Sequence, residues 1–210
     1  MDQNVKGLKA QVNVMGKRPW LPWWLRSAAE LALSARARQN ALSEWRRRCM
    51  GEPSLPNPSI RRVLVVCQGN ICRSPFAAAL IAHHRRDLEL RSAGLEAGEG
   101  VAAHGDALRA AQRFGVDLGG HRARRLEEGD VAWADLILAM EGHQAVQVAK
   151  SWPSAKMRIR LLGDFLPAPP FAIGDPFGQG DATFAASFER IALAVERMIP
   201  RIERKDLGPP

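Results

Sequence analysis

The 210-residue chain contains no tyrosine, only three cysteines and no long apolar run. Because the cysteines are few and odd in number, reactive thiol chemistry is a better expectation than a disulfide framework. A membrane-spanning helix needs roughly 18 consecutive apolar residues, and no such run occurs. The opening residues, MDQNVKGLKAQVNVMGKRP, also lack the apolar stretch of a secretory signal. These absences predict a cytoplasmic protein.

Positive charge is concentrated near the N-terminus. The net charge is +8, yet residues 1–60 contain ten basic and four acidic residues, so the other twenty basic and eighteen acidic residues nearly cancel. A nucleic-acid-binding body would carry basic residues over its folded surface, and no zinc-finger spacing or RNA-binding signature is present. We therefore expect no nucleic-acid partner.

The proline-rich segment GEPSLPNPSIRR separates two parts of the chain, because prolines and glycine break helices and favour an extended connector. We predict a basic, Trp-rich helical extension with its linker over 1–59 and a catalytic domain over 60–210. In the second part, strands alternate with helices, which predicts a small, doubly wound, four-stranded parallel sheet flanked by helices. The predicted strands lie near 61–67, 88–92, 135–140 and 157–162, and the predicted helices near 74–86, 103–114, after 140 and at 181–204.

The extension contains four of the six tryptophans, and its apolar residues follow helical spacing. The stripe consists of Trp24, Ala28, Leu31, Ala35, Leu42 and Trp45, and Arg38 interrupts it. One interpretation is that the stripe packs on the catalytic domain or on a second copy of the chain. The other is that residues 20–48 contact an acidic membrane surface or the cytoplasmic tail of a membrane kinase.

The stretch VLVVCQGNICRSP begins as a buried strand and ends as the start of a helix. Gly69 and Asn70 allow the turn that joins the strand to the helix, and the free amides of that helix point back into the turn. Such amides attract an oxyanion, and the planar fork of Arg73 can bind two phosphate oxygens. Cys67 ends the strand beside this positive potential, which predicts a thiolate at neutral pH. The loop is thus a candidate site for attack on a phosphoryl group.

A second stretch, AIGDPFGQGD, provides a candidate proton donor. Asp175 could protonate the departing oxygen and then accept a proton from the water that hydrolyses a cysteinyl-phosphate. Ser74 could stabilise the sulfur by a hydrogen bond as it leaves. The predicted reaction is phosphoryl transfer through a covalent intermediate, with no metal and no cofactor.

These residues resemble the low-molecular-weight protein tyrosine phosphatases of bacterial type. VCQGNICRSP is similar to the family signature C-x-x-x-x-x-R-S, and DPF is similar to its acid loop. RSAGL (91–95), GHRARRL (120–126) and ADLILAME (134–141) follow in the family's order. The resemblance covers residues 61–204 and implies a four-stranded parallel sheet with flanking helices, in agreement with the pattern of strands and helices.

The resemblance implies that Cys67 is the nucleophile, Arg73 the phosphate clamp and Asp175 the general acid. It also implies a hydrogen-bonded shell around the loop, formed by Asn70, Ser74 and His121. The expected phosphate- and substrate-binding residues are Gln68, Gly69, Asn70, Ile71, Cys72, Arg73, Ser74 and Phe177.

The expected substrate is phosphotyrosine in a phosphoprotein. Ile71 favours it, since the related branch that acts on phosphoarginine typically has threonine there, although the acid loop DPFG resembles that branch. Phe177 is the acid loop's single aromatic residue, and GLEAGEG (94–100) adds none for the opposite wall. Two further alternatives are a thiol-dependent arsenate reductase and a phosphate sensor without catalysis. The reductase chemistry needs additional cysteines later in the chain, and none follows residue 72.

Cys72 supports a separate hypothesis. It lies five residues after Cys67 on a loop that curls around one phosphate, so the two sulfurs could form a reversible disulfide that protects the nucleophile from irreversible oxidation.

Overall fold

The computed structural model describes residues 35–203 apart from positions 53 and 58. In this part of the chain a four-stranded sheet has the order β2-β1-β3-β4, and every neighbouring pair is parallel. The strands are β1 (Arg62–Cys67), β2 (Glu89–Gly94), β3 (Leu136–Ala139) and β4 (Ile159–Leu161). The described helices are α1 (Ala35–Met50), α2 (Arg73–His84), α3 (Gly105–Gln112), α4 (Glu128–Trp133), α5 (Gly142–Ser151) and α6 (Asp181–Met198). The predicted fold class is confirmed.

Both faces of the sheet are covered, which explains why β1 is apolar at almost every position. Val63, Val65 and Cys67 belong to the apolar cluster that includes α2, α3 and α6. Leu64 and Val66 belong to the cluster on the other face, with α4 and α5. The alternation of side chains along the strand therefore places the Cys67 sulfur on the α2 side, at the carboxyl end of β1.

Apart from shifts of one or two residues at element ends, three differences from the predicted elements stand out. Helix α4 was not predicted, because a six-residue element is too short to show a helical repeat of apolar residues. The segment Pro153–Arg158 forms a 3-10 helix, so β4 is shorter than predicted. Helix α6 ends at Met198 and a 3-10 turn containing Pro200 follows, where we predicted a helix to 204.

Helix α1 confirms part of the predicted helical extension, and residues 20–34 lie outside the described residues. Leu42 and Trp45 of the apolar stripe are 55% and 60% exposed, so these two residues do not pack on the catalytic domain, and packing of the stripe on a second copy of the chain stays a prediction. The helix contacts the domain with polar side chains instead, because the domain surface offers a carboxylate and backbone N–H groups there. The domain boundary at residues 59 and 60 stays a prediction.

Candidate active site

The loop from Cys67 to Arg73 lies at the carboxyl end of β1, between β2 on one side and β3 on the other. Ligands bind at such points in parallel sheets, because the chain leaves the two neighbouring strands in opposite directions and a crevice opens between the loops. Two polar groups contact the Cys67 sulfur: the hydroxyl of Ser74 at 3.0 Å and the backbone N–H of Asn70 at 3.3 Å. Both can stabilise a negative sulfur.

Asn70 joins the loop to its surroundings. Its backbone has a φ of 54°, a left-handed conformation that asparagine tolerates better than most residues. Its buried side chain donates from Nδ2 to the hydroxyls of Ser74 and Ser92, each at 2.9 Å, and accepts from the backbone N–H of Arg124 at 3.0 Å. Since the Ser74 oxygen already accepts this hydrogen bond, its own hydrogen is available to the Cys67 sulfur.

His121 lies against the same residue, with its Nε2 atom 2.7 Å from the Asn70 carbonyl oxygen. Burial lowers the pKa of His121, with smaller contributions from Arg122 and Arg124, and the hydrogen bond to Asn70 opposes the shift. The ring is therefore neutral near pH 7, and as a neutral donor it can hold the loop carbonyl without adding charge.

The loop also packs tightly against the end of β2. A Cβ atom at Gly94 would lie 2.7 Å from the Gln68 carbonyl oxygen and 2.9 Å from the Asn70 nitrogen, so only glycine fits. The backbone N–H of Leu95 donates to the Cys67 carbonyl at 3.0 Å. This contact explains why RSAGL ends the strand beside the loop. The Gln68 and Ile71 side chains are half-buried, and Gly69 is also partly accessible.

The Arg73 side chain is buried and only 1% exposed. Its Nη1 atom donates to Glu141 Oε1 at 2.8 Å and to the Ile173 carbonyl at 3.0 Å. Its Nη2 atom is 2.6 Å from Asp175 Oδ2. The structure thus brings the predicted clamp and the predicted general acid together. Glu141, which anchors the guanidinium, was not predicted, although it ends ADLILAME at the carboxyl end of β3.

Hydrogen bonds within the acid loop hold its backbone around Asp175. Asp175 Oδ1 accepts from the backbone N–H of Phe177 at 3.3 Å, and the Asp175 carbonyl accepts from the Gln179 amide at 2.5 Å. The Phe177 ring is 54% exposed and meets the edge of the His104 ring at a centroid distance of 5.1 Å. His104 is a second missed residue, and its backbone N–H donates to the Ile71 carbonyl at 2.9 Å.

Cys72 is buried, and burial raises the pKa of its thiol to about 12, with the Cys67 sulfur and Asp175 contributing. It therefore stays protonated while Cys67 faces the polar groups of the loop. Both cysteines are free thiols in the structure. Among residues 35–203, without 53 and 58, no group of three His, Cys, Asp or Glu side chains is arranged to hold a metal ion.

Known proteins are similar to this chain over most of its length. The model of the family described as low molecular weight phosphotyrosine protein phosphatase matches residues 62–207. A probable low molecular weight protein-tyrosine-phosphatase, EpsP of Ralstonia nicotianae, is 36% identical over 68% of this chain and 97% of that protein. A protein-arginine-phosphatase of Geobacillus stearothermophilus is 31% identical over 68% of this chain and 96% of that protein.

Solved structures lead to the same family. The crystal structure of the Erwinia amylovora tyrosine phosphatase amsI superposes with a TM-score of 0.66 and 31% identity, covering 69% of this chain and 95% of that one. These matches cover nearly the whole length of both relatives and of the solved structure. Helix α1 lies outside the residues that match the family model. The chain belongs to the low-molecular-weight phosphotyrosine protein phosphatase family.

Proposed function

We propose that the protein hydrolyses phosphotyrosine in phosphoproteins through a cysteinyl-phosphate on Cys67. The observation that carries the proposal is the convergence of three groups: the Cys67 sulfur with its two hydrogen-bonding neighbours, the buried guanidinium of Arg73, and the Asp175 carboxyl. Sulfur and guanidinium belong to one loop that opens at a helix N-terminus, where a phosphate dianion is stabilised.

In the first step the Cys67 thiolate attacks phosphorus, the bond from phosphorus to the tyrosyl oxygen breaks, and Asp175 donates a proton to that oxygen. In the free enzyme the Asp175 carboxylate forms an ion pair with the Nη2 atom of Arg73. A bound phosphate would replace the Asp175 carboxyl at Arg73 Nη2. Substrate binding thereby frees Asp175 to face the oxygen of the leaving group.

In the second step water attacks phosphorus and gives a proton to the Asp175 carboxylate, and the phosphorus–sulfur bond breaks. The products are inorganic phosphate and the Cys67 thiolate. The Ser74 hydroxyl, 3.0 Å from the sulfur, stabilises the departing thiolate. Arg73 stabilises the charge on the transferring group in both steps.

Phosphotyrosine is favoured over phosphoarginine by the rings beside the loop. Phe177 and His104 together offer the aromatic contact that the sequence assigned to Phe177 alone, and an aromatic pair of this kind favours a planar substrate ring. A protein-arginine-phosphatase among the relatives keeps the second substrate as the alternative to be tested.

The test compares release of phosphate from phosphotyrosine and phosphoarginine peptides by the native chain, Cys67→Ser and Asp175→Ala. We expect Cys67→Ser to lose nearly all turnover. We expect Asp175→Ala to lose about 10²–10⁴-fold with phosphotyrosine, the usual contribution of general acid catalysis. Turnover by Cys67→Ser at the native rate would exclude the mechanism, and faster release from phosphoarginine would reverse the substrate assignment. Absence of turnover by the native chain would favour the phosphate sensor.

Contact with a membrane surface or with a membrane tyrosine kinase through residues 20–48 remains a proposal. Its support is the exposure of Leu42 and Trp45 on a helix with several arginines. No helix in the described part of the chain is long and apolar enough to cross a membrane. Co-sedimentation of the full chain with anionic vesicles tests the idea, with Trp45→Ala as the variant that should bind less.

A further inference from the structure

Helix α1 lies outside the residues that match the family, yet it contacts the two groups that support Arg73 and Asp175. The side chains that contact these two groups come from Arg36, Asn40 and Glu44. These residues are spaced by four, so they share one face of the helix. None of the three touches the Cys67 loop directly in the contacts that the structure shows. Arg47, nearer the end of the helix, donates to the Asp164 carbonyl instead.

The first support is Glu141, whose side chain is 4% exposed. Arg36 Nη2 and Arg73 Nη1 both donate to its Oε1 atom, at 2.7 and 2.8 Å. Asn40 Nδ2 donates to Oε2 at 2.9 Å. Burial raises the pKa of Glu141, but the hydrogen bonds from Arg36 and Arg73 outweigh it, so the pKa lies below its usual range. Two residues of α1 thus help to keep the anchor of Arg73 ionised and oriented.

The second support is the segment that leads into the acid loop. Glu44 Oε1 accepts from the backbone N–H groups of Phe171 and Ala172, the latter at 2.7 Å. The carbonyl of the next residue, Ile173, accepts from Arg73 at 3.0 Å. Glu44 therefore holds the backbone immediately before the point where it contacts Arg73, and Asp175 follows two residues later.

The helix is seated closely at its contact with α5. Asn40 Oδ1 accepts from the backbone N–H of His143 at 3.0 Å, and a Cβ atom at Gly142 would lie 2.8 Å from the Gln39 carbonyl. Only glycine permits this approach. Shape and hydrogen bonds together therefore fix one position of α1 on the domain.

We propose that α1 is a brace for the active site, in which Arg36, Asn40 and Glu44 act as positioning residues for Arg73 and Asp175. The inference rests on the proposed phosphatase mechanism. Without Arg36, the Glu141 charge would act on Arg73 alone, and the guanidinium would be less available to the transferring phosphoryl group. Without Glu44, the backbone before Asp175 would lose two hydrogen bonds, and the acid would be held less firmly.

The two supports predict different kinetic effects. Proton donation matters more for phosphotyrosine than for p-nitrophenyl phosphate, because p-nitrophenolate is the weaker base and leaves more easily. Glu44→Ala should therefore lower kcat/KM more for a phosphotyrosine peptide than for p-nitrophenyl phosphate. Arg36→Gln and Asn40→Ala act through Arg73, which both substrates need. They should therefore lower kcat/KM for both substrates by about tenfold, which corresponds to about 1.4 kcal/mol of activation free energy.

Steady-state kinetics of these variants on both substrates is the experiment, with Arg46→Gln as the matched control. Arg46 is an exposed arginine of the same helix, and it makes no contact with Glu141, Phe171 or Ala172 in the structure. Arg36→Lys keeps a positive charge and should recover part of the lost activity. The variants should remain folded, because no residue of α1 is buried.

The brace is refuted if Arg36→Gln, Asn40→Ala and Glu44→Ala keep kcat/KM within about twofold of the native chain. It is also refuted if Arg46→Gln loses as much activity as Arg36→Gln, or if Glu44→Ala affects the two substrates equally. Cys67→Ser separates this result from a failure of the proposed function. An inactive Cys67→Ser with unaffected α1 variants removes only the brace, whereas an active Cys67→Ser removes the phosphatase mechanism beneath it.

Discussion

Replacing Asn70 by alanine should destabilise the fold more than most changes in a loop. The substitution removes the side-chain hydrogen bonds to Ser74, Ser92 and Arg124, which are worth about 1 kcal/mol each. It also places an alanine at a φ of 54°, which adds about 1 kcal/mol. We expect a loss of about 4 kcal/mol in the free energy of unfolding, and a fall in Tm of about 8–16 °C for a domain of this size.

Asn70→Gly is the matched control, because it removes the same hydrogen bonds but adopts the left-handed conformation freely. It should be more stable than Asn70→Ala by about 1 kcal/mol, the reverse of the order at an ordinary position. Urea unfolding at equilibrium measures both values. An unfolding free energy for Asn70→Ala within about 1 kcal/mol of the native chain would refute this account of the loop, and so would a less stable glycine variant.

The same substitution should change catalysis at a particular step. Asn70 orients the Ser74 hydroxyl, which stabilises Cys67 when the phosphorus–sulfur bond breaks. Asn70→Ala should therefore slow the second step more than the first, and p-nitrophenol should appear in a pre-steady-state burst that is larger than in the native chain. A reduced rate without any increase in the burst would contradict the role given to Ser74.

Three further predictions concern other parts of the molecule. Burial raises the pKa of Asp164 to about 6, above about 3.9 in the unfolded chain, so the free energy of unfolding falls as pH rises from about 4 to 6. Asp164→Asn should remove this loss. Urea unfolding should show the variant to be more stable than the native chain by up to about 3 kcal/mol near pH 7.5, and little different near pH 4. Gly142→Ala should push Gln39 and α1 away and lower kcat/KM on phosphotyrosine peptides by about tenfold. After mild peroxide, dithiothreitol should restore activity to the native chain but not to Cys72→Ser; equal recovery would exclude a protective disulfide with Cys67.

The sequence could indicate the candidate phosphate loop because its parts are neighbours in the chain. Cys67, Asn70, Arg73 and Ser74 lie within eight residues, between an apolar strand and a helix, and local backbone geometry suffices to turn them towards one point. The sheet was predictable for a similar reason, since alternating strands and helices have few ways to pack. Asp175 lies far away in the chain, so its own loop could only suggest it as a proton donor, and the family resemblance then implied that role.

The residues that the sequence did not identify are those whose partners come from distant segments. Glu141 and His104 carry no local signal, because a carboxylate after a strand or a histidine before a helix is ordinary until Arg73 or Phe177 is placed beside it. Their roles arise when the ends of β3, the acid loop and the start of α3 meet at one edge of the sheet.

The orientation of α1 shows the same division most clearly. Its sequence indicated a helix, because apolar residues recur at helical spacing, and the same spacing suggested Leu42 and Trp45 as a face that could pack on the catalytic domain, where both are in fact exposed. The tertiary structure decided which face of α1 contacts the domain. The buried Glu141 carboxylate and the N–H groups of Phe171 and Ala172 need polar partners, and Asn40 and Glu44 of α1 provide them. Periodicity along one segment records where its apolar residues lie, whereas the unsatisfied groups that it must meet belong to the rest of the fold.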